Sequence, residues 1–187
     1  DHNQSVPWYI TAFDSEGIKD NSGKIKDVQI TKAIRERKVL TEFICSTDYC
    51  KKIIKMDAPS FEIESCLPPE PDCICDFHDN VAKSNYFELA EVLDQKLARN
   101  FNDEDVAFTG GFFSDDIIEV ILDKKIKKVY QSGKLKIDLV IYFDVQPSWR
   151  LDSIELQVRN FIDKNGKGVF NWIWVFIMHD KKVLGPY

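Results

Sequence analysis

With 187 residues the chain is long enough for one well-packed domain and short for two. Hydrophobic residues make up 44% and charged residues 30%, which excludes a disordered chain, and a formal net charge of -6 argues against a general binder of phosphate backbones. No apolar run approaches the roughly 18 residues of a membrane span, and Asp1-His2-Asn3-Gln4 does not read as a signal peptide, so no membrane partner is expected.

The opening Val6 to Phe13, rich in aromatic and β-branched residues, predicts a strand that ends in the polar loop of residues 15–26. From Val28 to Ser46 the apolar positions Ile30, Ala33, Ile34, Leu40, Phe43 and Ile44 recur at helical spacing, with Asp27 as N-cap. A second helical piece covers Thr47 to Lys55, and Pro59 separates it from Phe61 to Leu67, which alternates as a strand does. Pro68-Pro69-Glu70-Pro71 then forces an extended turn poor in backbone donors. Strands Asp72 to Phe77 and Tyr86 to Val92 follow, joined by a polar loop of hairpin length.

Residues 94–100 continue as a short helix, and Gly110-Gly111 marks a turn. Ser114 and Asp115 cap a helix that runs to about Tyr130 and is closed by Gly133. Its lysines, Lys124, Lys125, Lys127 and Lys128, read as a solvated face balancing Asp115, Asp116, Glu119 and Asp123. Leu139 to Phe143 predicts a strand buried on both faces, and a helix from Leu151 to Ile162 is broken by Asn165-Gly166. Trp172 to Met178 turns back on Val183-Leu184 as a terminal hairpin. The whole is an α/β pattern with a mixed central sheet flanked by helices, in one domain spanning 1–187.

Two acidic residues stand out chemically. Asp72 lies at the mouth of an apolar strand, and Glu88 sits between Phe87 and Leu89, where a charge must be exposed or paired. Asp72 also suits a turn after the prolines, bonding its own backbone. If both carboxylates share one sheet face they suffice for Mg²⁺ or Mn²⁺, because Mg²⁺ commonly takes one or two protein carboxylates and fills its octahedron with water and phosphate. Glu91 falls on the opposite face from Glu88. The odd set of Cys45, Cys50, Cys66, Cys73 and Cys75 favours reduced thiols and a cytoplasmic setting, and lacks zinc-site spacing; Cys73 and Cys75 read as small core residues. His2, His78 and His179 fall in a terminus or in turns, which leaves no Ser-His-Asp or Cys-His arrangement. Phosphate-cradling glycine motifs are missing as well.

Pro71-Asp72, a hairpin-length gap and Glu88-Leu89-Ala90 resemble the PD-(D/E)XK nuclease-like superfamily. The resemblance implies a restriction-endonuclease-like αβββαβ core, here with the N-terminal strand and C-terminal hairpin added. It also implies Mg²⁺ or Mn²⁺ held by Asp72 and Glu88 and hydrolysis of nucleic-acid phosphodiester bonds. The chain departs from the pattern at Ala90, where the motif lysine belongs, which leaves open whether the protein is an active enzyme or a degraded one. Lys96 on the following helix is the candidate catalytic substitute, as in members that relocate the basic group, with Gln95 a weaker, uncharged one. Glu36 or Glu42 would add a carboxylate, although an amphipathic helix places both toward solvent. The alternative reading is an acidic protein-binding module of the immunity or antitoxin type, with a basic protein as partner.

Overall fold

The computed structural model describes residues 27–46, 60–78, 84–92, 117–130, 136–144 and 151–187. In chain order these form α1 (Asp27–Ser46), β1 (Phe61–Ser65), β2 (Cys73–Phe77), β3 (Ser84–Glu91), α2 (Ile117–Ile126), β4 (Ile137–Phe143), α3 (Leu151–Asn165), β5 (Phe170–Ile177) and β6 (Lys182–Leu184). The predicted N-terminal strand, the helical pieces at 47–55 and 94–100 and the Gly110-Gly111 turn lie outside the described residues.

All six strands join one mixed sheet in the order β1-β2-β3-β4-β5-β6. The pairs β1–β2, β2–β3 and β5–β6 are antiparallel, whereas β3–β4 and β4–β5 are parallel. Parallel neighbours need a crossover, and α2 and α3 occupy the two crossovers. Both step the same way along the sheet, so the two helices share one face.

Period-2 alternation then sorts the side chains into two cores. On the α2–α3 face, Leu139, Ile141 and Phe143 of β4 meet Ile118 and Leu122 of α2 and Ile154, Val158 and Phe161 of α3. On the other face, Phe87 and Leu89 of β3, Val140 and Tyr142 of β4 and Trp174 and Phe176 of β5 pack with Val39, Leu40, Phe43 and Ile44 of α1. Phe43 touches the rings of Phe87, Trp174 and Phe176 edge-on at centroid distances of 6.4, 5.6 and 5.8 Å. Cys73 and Cys75 belong to this second core as small buried residues. Every residue of β4 is buried, as its apolar run requires of a strand covered on both sides.

β4 begins two residues earlier than the apolar run suggests and takes in a buried aspartate, Asp138. Its Oδ2 accepts the Trp174 indole N–H at 3.2 Å and its Oδ1 the Asn171 amide at 3.4 Å. Among the described residues, Glu88 and Asp138 are the buried charged side chains.

α3 ends on a side-chain cap, with Asn165 Nδ2 donating to Phe161 O at 3.0 Å, and Gly166 follows in the left-handed region at φ 74°. Gly168, also left-handed at φ 60°, lies against the end of α2: a Cβ there would stand 3.0 Å from the Ile126 carbonyl oxygen and 3.1 Å from the Ile126 Cβ.

Candidate functional site

The β2–β3 ladder ends where Cys73 pairs with Phe87, so Asp72 and Pro71 lie just beyond it, next to the stretch of β3 that carries Glu88 and Leu89. In β3 the even residues turn their N–H groups toward β4, as the bonds from Tyr86 N to Lys136 O and from Val92 N to Tyr142 O show. The odd residues, Leu89 among them, therefore face β2. Proline has no N–H, so Pro71 cannot donate to the Leu89 carbonyl and the ladder stops there. Both backbone groups of Leu89 find side chains instead: Asp72 Oδ2 accepts the Leu89 N–H at 2.8 Å, and Lys125 Nζ donates to Leu89 O at 2.7 Å. Asp72 thus acts on the backbone of the neighbouring strand rather than on its own turn.

Glu88 is wholly buried on the face that α2 covers. Its Oε1 accepts Lys125 Nζ at 2.5 Å and Lys128 Nζ at 2.8 Å. Its Oε2 is buried without a hydrogen-bond partner among the described residues. The Tyr130 hydroxyl lies beside this carboxylate without meeting strict hydrogen-bond geometry, and burial first, then the Glu88 charge, raises the phenol pKa. The lysine face expected to be solvated is therefore divided. Lys127 pairs with Asp123 at 2.6 Å in the open, while Lys125 and Lys128 turn inward to the buried carboxylate.

α1 adds a third carboxylate. Glu36, placed toward solvent by the sequence pattern, is mostly buried, and burial followed by the nearby Asp72 and Glu88 charges raises its pKa. Lys32 bridges the group, 3.2 Å from Glu36 Oε1 and 3.7 Å from Asp72 Oδ1. Burial works against its ammonium, but Asp72, Glu36 and Glu88 outweigh this and raise its pKa. Glu42 instead pairs weakly with Lys38 at 3.9 Å. Two charge groups thus meet at Leu89: Lys32 with Glu36 and Asp72, whose carboxylate accepts the Leu89 N–H, and Lys125 and Lys128 with Glu88, Lys125 also donating to the Leu89 carbonyl.

Ala90, at the motif-lysine position, is buried in the α2–α3 core, and Lys96 lies outside the described residues. Glu91 faces α1, opposite to Glu88, and shares Arg35 with Asp144, which accepts Arg35 Nη2 at 2.8 Å. His78 follows β2, and His179 lies in the β5–β6 turn. Sequence reasoning missed Lys125 and Lys128; the available signal was that a buried Glu88 needs cations and that a crossover helix between parallel strands passes over the first of them.

The groups beside Lys125 are all oxygens: Glu88 Oε1, the unpartnered Oε2 of the same carboxylate and the Leu89 carbonyl, with Asp72 bonded to the N–H of that same Leu89. They match in kind the preference of Mg²⁺ or Mn²⁺. Among the described residues no three His, Cys, Asp or Glu side chains form a ready-made metal cluster. Likewise no described helix is long and apolar enough to cross a membrane. No protein-family model matches the chain, and it matches neither a curated protein nor a solved structure.

Proposed function

We propose that this chain is a nuclease-like α/β domain in which Asp72 and Glu88 hold Mg²⁺ or Mn²⁺ for hydrolysis of nucleic-acid phosphodiester bonds. The observation that carries the reading is Glu88, a fully buried carboxylate with one orphaned oxygen and two inward-turned lysines, next to Leu89, whose N–H the Asp72 carboxylate accepts. The order α1-β1-β2-β3-α2-β4 among the described residues supports it, being the αβββαβ order that the PD-(D/E)XK resemblance implies. A divalent ion here would polarise the phosphate and lower the pKa of a water. The chain's own groups do the rest. Asp72 fixes the Leu89 backbone beside Glu88, and Lys128, from the C-terminal flank of α2, supplies the positive charge that Ala90 lacks.

The test incubates single- and double-stranded DNA and RNA with the protein in Mg²⁺ or Mn²⁺, beside an Asp72→Asn, Glu88→Gln double variant. Metal-dependent cleavage by the wild type, absent from the variant, is expected. Equal cleavage by both preparations marks a contaminant and removes the enzyme reading.

One observation favours the acidic binding module instead. At the outer strand β1, Glu62 stands directly across from Asp76, with Glu64 exposed nearby, a like-charge array suited to a basic protein surface. Retention of a basic protein by the wild type, lost on Glu62→Lys, Glu64→Lys substitution, supports that reading.

A further inference from the structure

We propose that the Lys125 ammonium is the resident cation of this site, seated where the divalent ion binds, so that metal uptake requires Lys125 to leave. The inference rests on the metal reading above and names how that site is regulated.

The geometry that points to it is the pair of oxygens Lys125 touches. Its Nζ is 2.5 Å from a fully buried carboxylate oxygen and 2.7 Å from the Leu89 carbonyl, which lies beyond the last β2–β3 pair, Cys73 with Phe87. The unpartnered Glu88 Oε2 belongs to the same carboxylate, and the Asp72 carboxylate is anchored on the N–H of the same Leu89. An ammonium and a divalent ion both seek such oxygen donors, but an ammonium directs at most three N–H groups, whereas Mg²⁺ gathers six oxygens. Oε2, with the Tyr130 hydroxyl beside the carboxylate, is the oxygen that the ammonium does not engage.

Lys128 has a different place. It reaches the same Glu88 oxygen at 2.8 Å from beyond the end of α2, is more exposed than Lys125, and also lies over the Tyr130 ring at 5.0 Å. When Lys125 withdraws, Lys128 remains as the basic group at Glu88. Around the site three acidic side chains, Glu36, Asp72 and Glu88, face three basic ones, Lys32, Lys125 and Lys128. Withdrawal of Lys125 shifts that balance by one negative charge, which draws a divalent cation in.

The test is calorimetric titration of Mn²⁺ into the full chain as wild type, Lys125→Met, Lys128→Met and Glu88→Gln. Lys125→Met is expected to bind Mn²⁺ roughly tenfold or more tightly than wild type, the size of an ordinary coupling between competing occupants. Lys128→Met changes the affinity less, and Glu88→Gln abolishes uptake. A second readout uses only the wild type: Mn²⁺ accelerates acetylation of Lys125, followed by mass spectrometry, while exposed Lys124 is unaffected. Equal affinity in wild type and Lys125→Met, or Lys125 labelling indifferent to Mn²⁺ at concentrations that bind, overturns the displacement and leaves the metal reading intact. No uptake by any of the proteins removes the metal reading and this inference together.

Discussion

At the scale of single residues, burial decides what each charge does. Glu36 and Glu91 both have pKa values raised above the ordinary 4.5, first by burial and next, for Glu36, by Asp72; at Glu91 the nearby Arg35 works the other way. A folded-state pKa above the unfolded one means that the native chain holds more protons just above pH 4.5, so stability falls as pH climbs through that window. Glu36→Gln removes this penalty. Its melting temperature, followed by circular dichroism, is expected to exceed that of wild type at pH 8, and the difference should vanish near pH 4, where Glu36 is protonated folded and unfolded alike. Asp138 makes the opposite case, a buried carboxylate kept by its donors. Trp174→Phe keeps an aromatic ring, though a smaller one, and deletes the indole N–H that Asp138 accepts; loss of that bond alone should cost about 1–3 kcal/mol in urea unfolding. Glu88→Gln, which breaks a buried ion group, should cost on the order of 3 kcal/mol by the same measurement.

Among the elements, α1 depends most on one contact. Phe43 fills the space between three aromatic rings of β3 and β5, and Phe43→Ala should lower stability by about 3–5 kcal/mol through the cavity it leaves. That helix was legible in the sequence because Leu40, Phe43 and Ile44 keep helical spacing, and the strands were legible from alternation or from an unbroken apolar run. Asp138 was not, because a single aspartate at the head of an apolar stretch looks like a boundary; the Trp174 indole and Asn171 amide donors contributed by β5 are what accommodate it inside. Glu36 was misjudged for a related reason. Helical periodicity reports one apolar stripe, and a carboxylate at the stripe's margin reads as solvated until Asp72 and Glu88 arrive from distant strands. The lysines at the end of α2 repeat the lesson, since i to i+3 spacing puts Lys125 and, just past the helix, Lys128 on one side of a turn without saying which side meets β3. Local patterns carry the strands that hold Asp72 and Glu88; the partners of those residues are set by pairing over long sequence distances.

For the molecule as a whole, the sheet is shared property. Both cores use alternate side chains of the same β3, β4 and β5, so neither face can melt while the other persists. Amide exchange should therefore be slowest in β4, reaching the protection of global unfolding, and faster in the outer strands β1 and β6; a β4 that exchanges as fast as β1 would contradict shared cores.

Gly168 shows how far from Glu88 the site can be damaged. Its backbone nestles under the last carbonyl of α2, in a conformation that side chains resist. A Cβ there would press on the Ile126 carbonyl, so the tail of α2, from which both lysines reach Glu88, would have to give by a few tenths of an ångström.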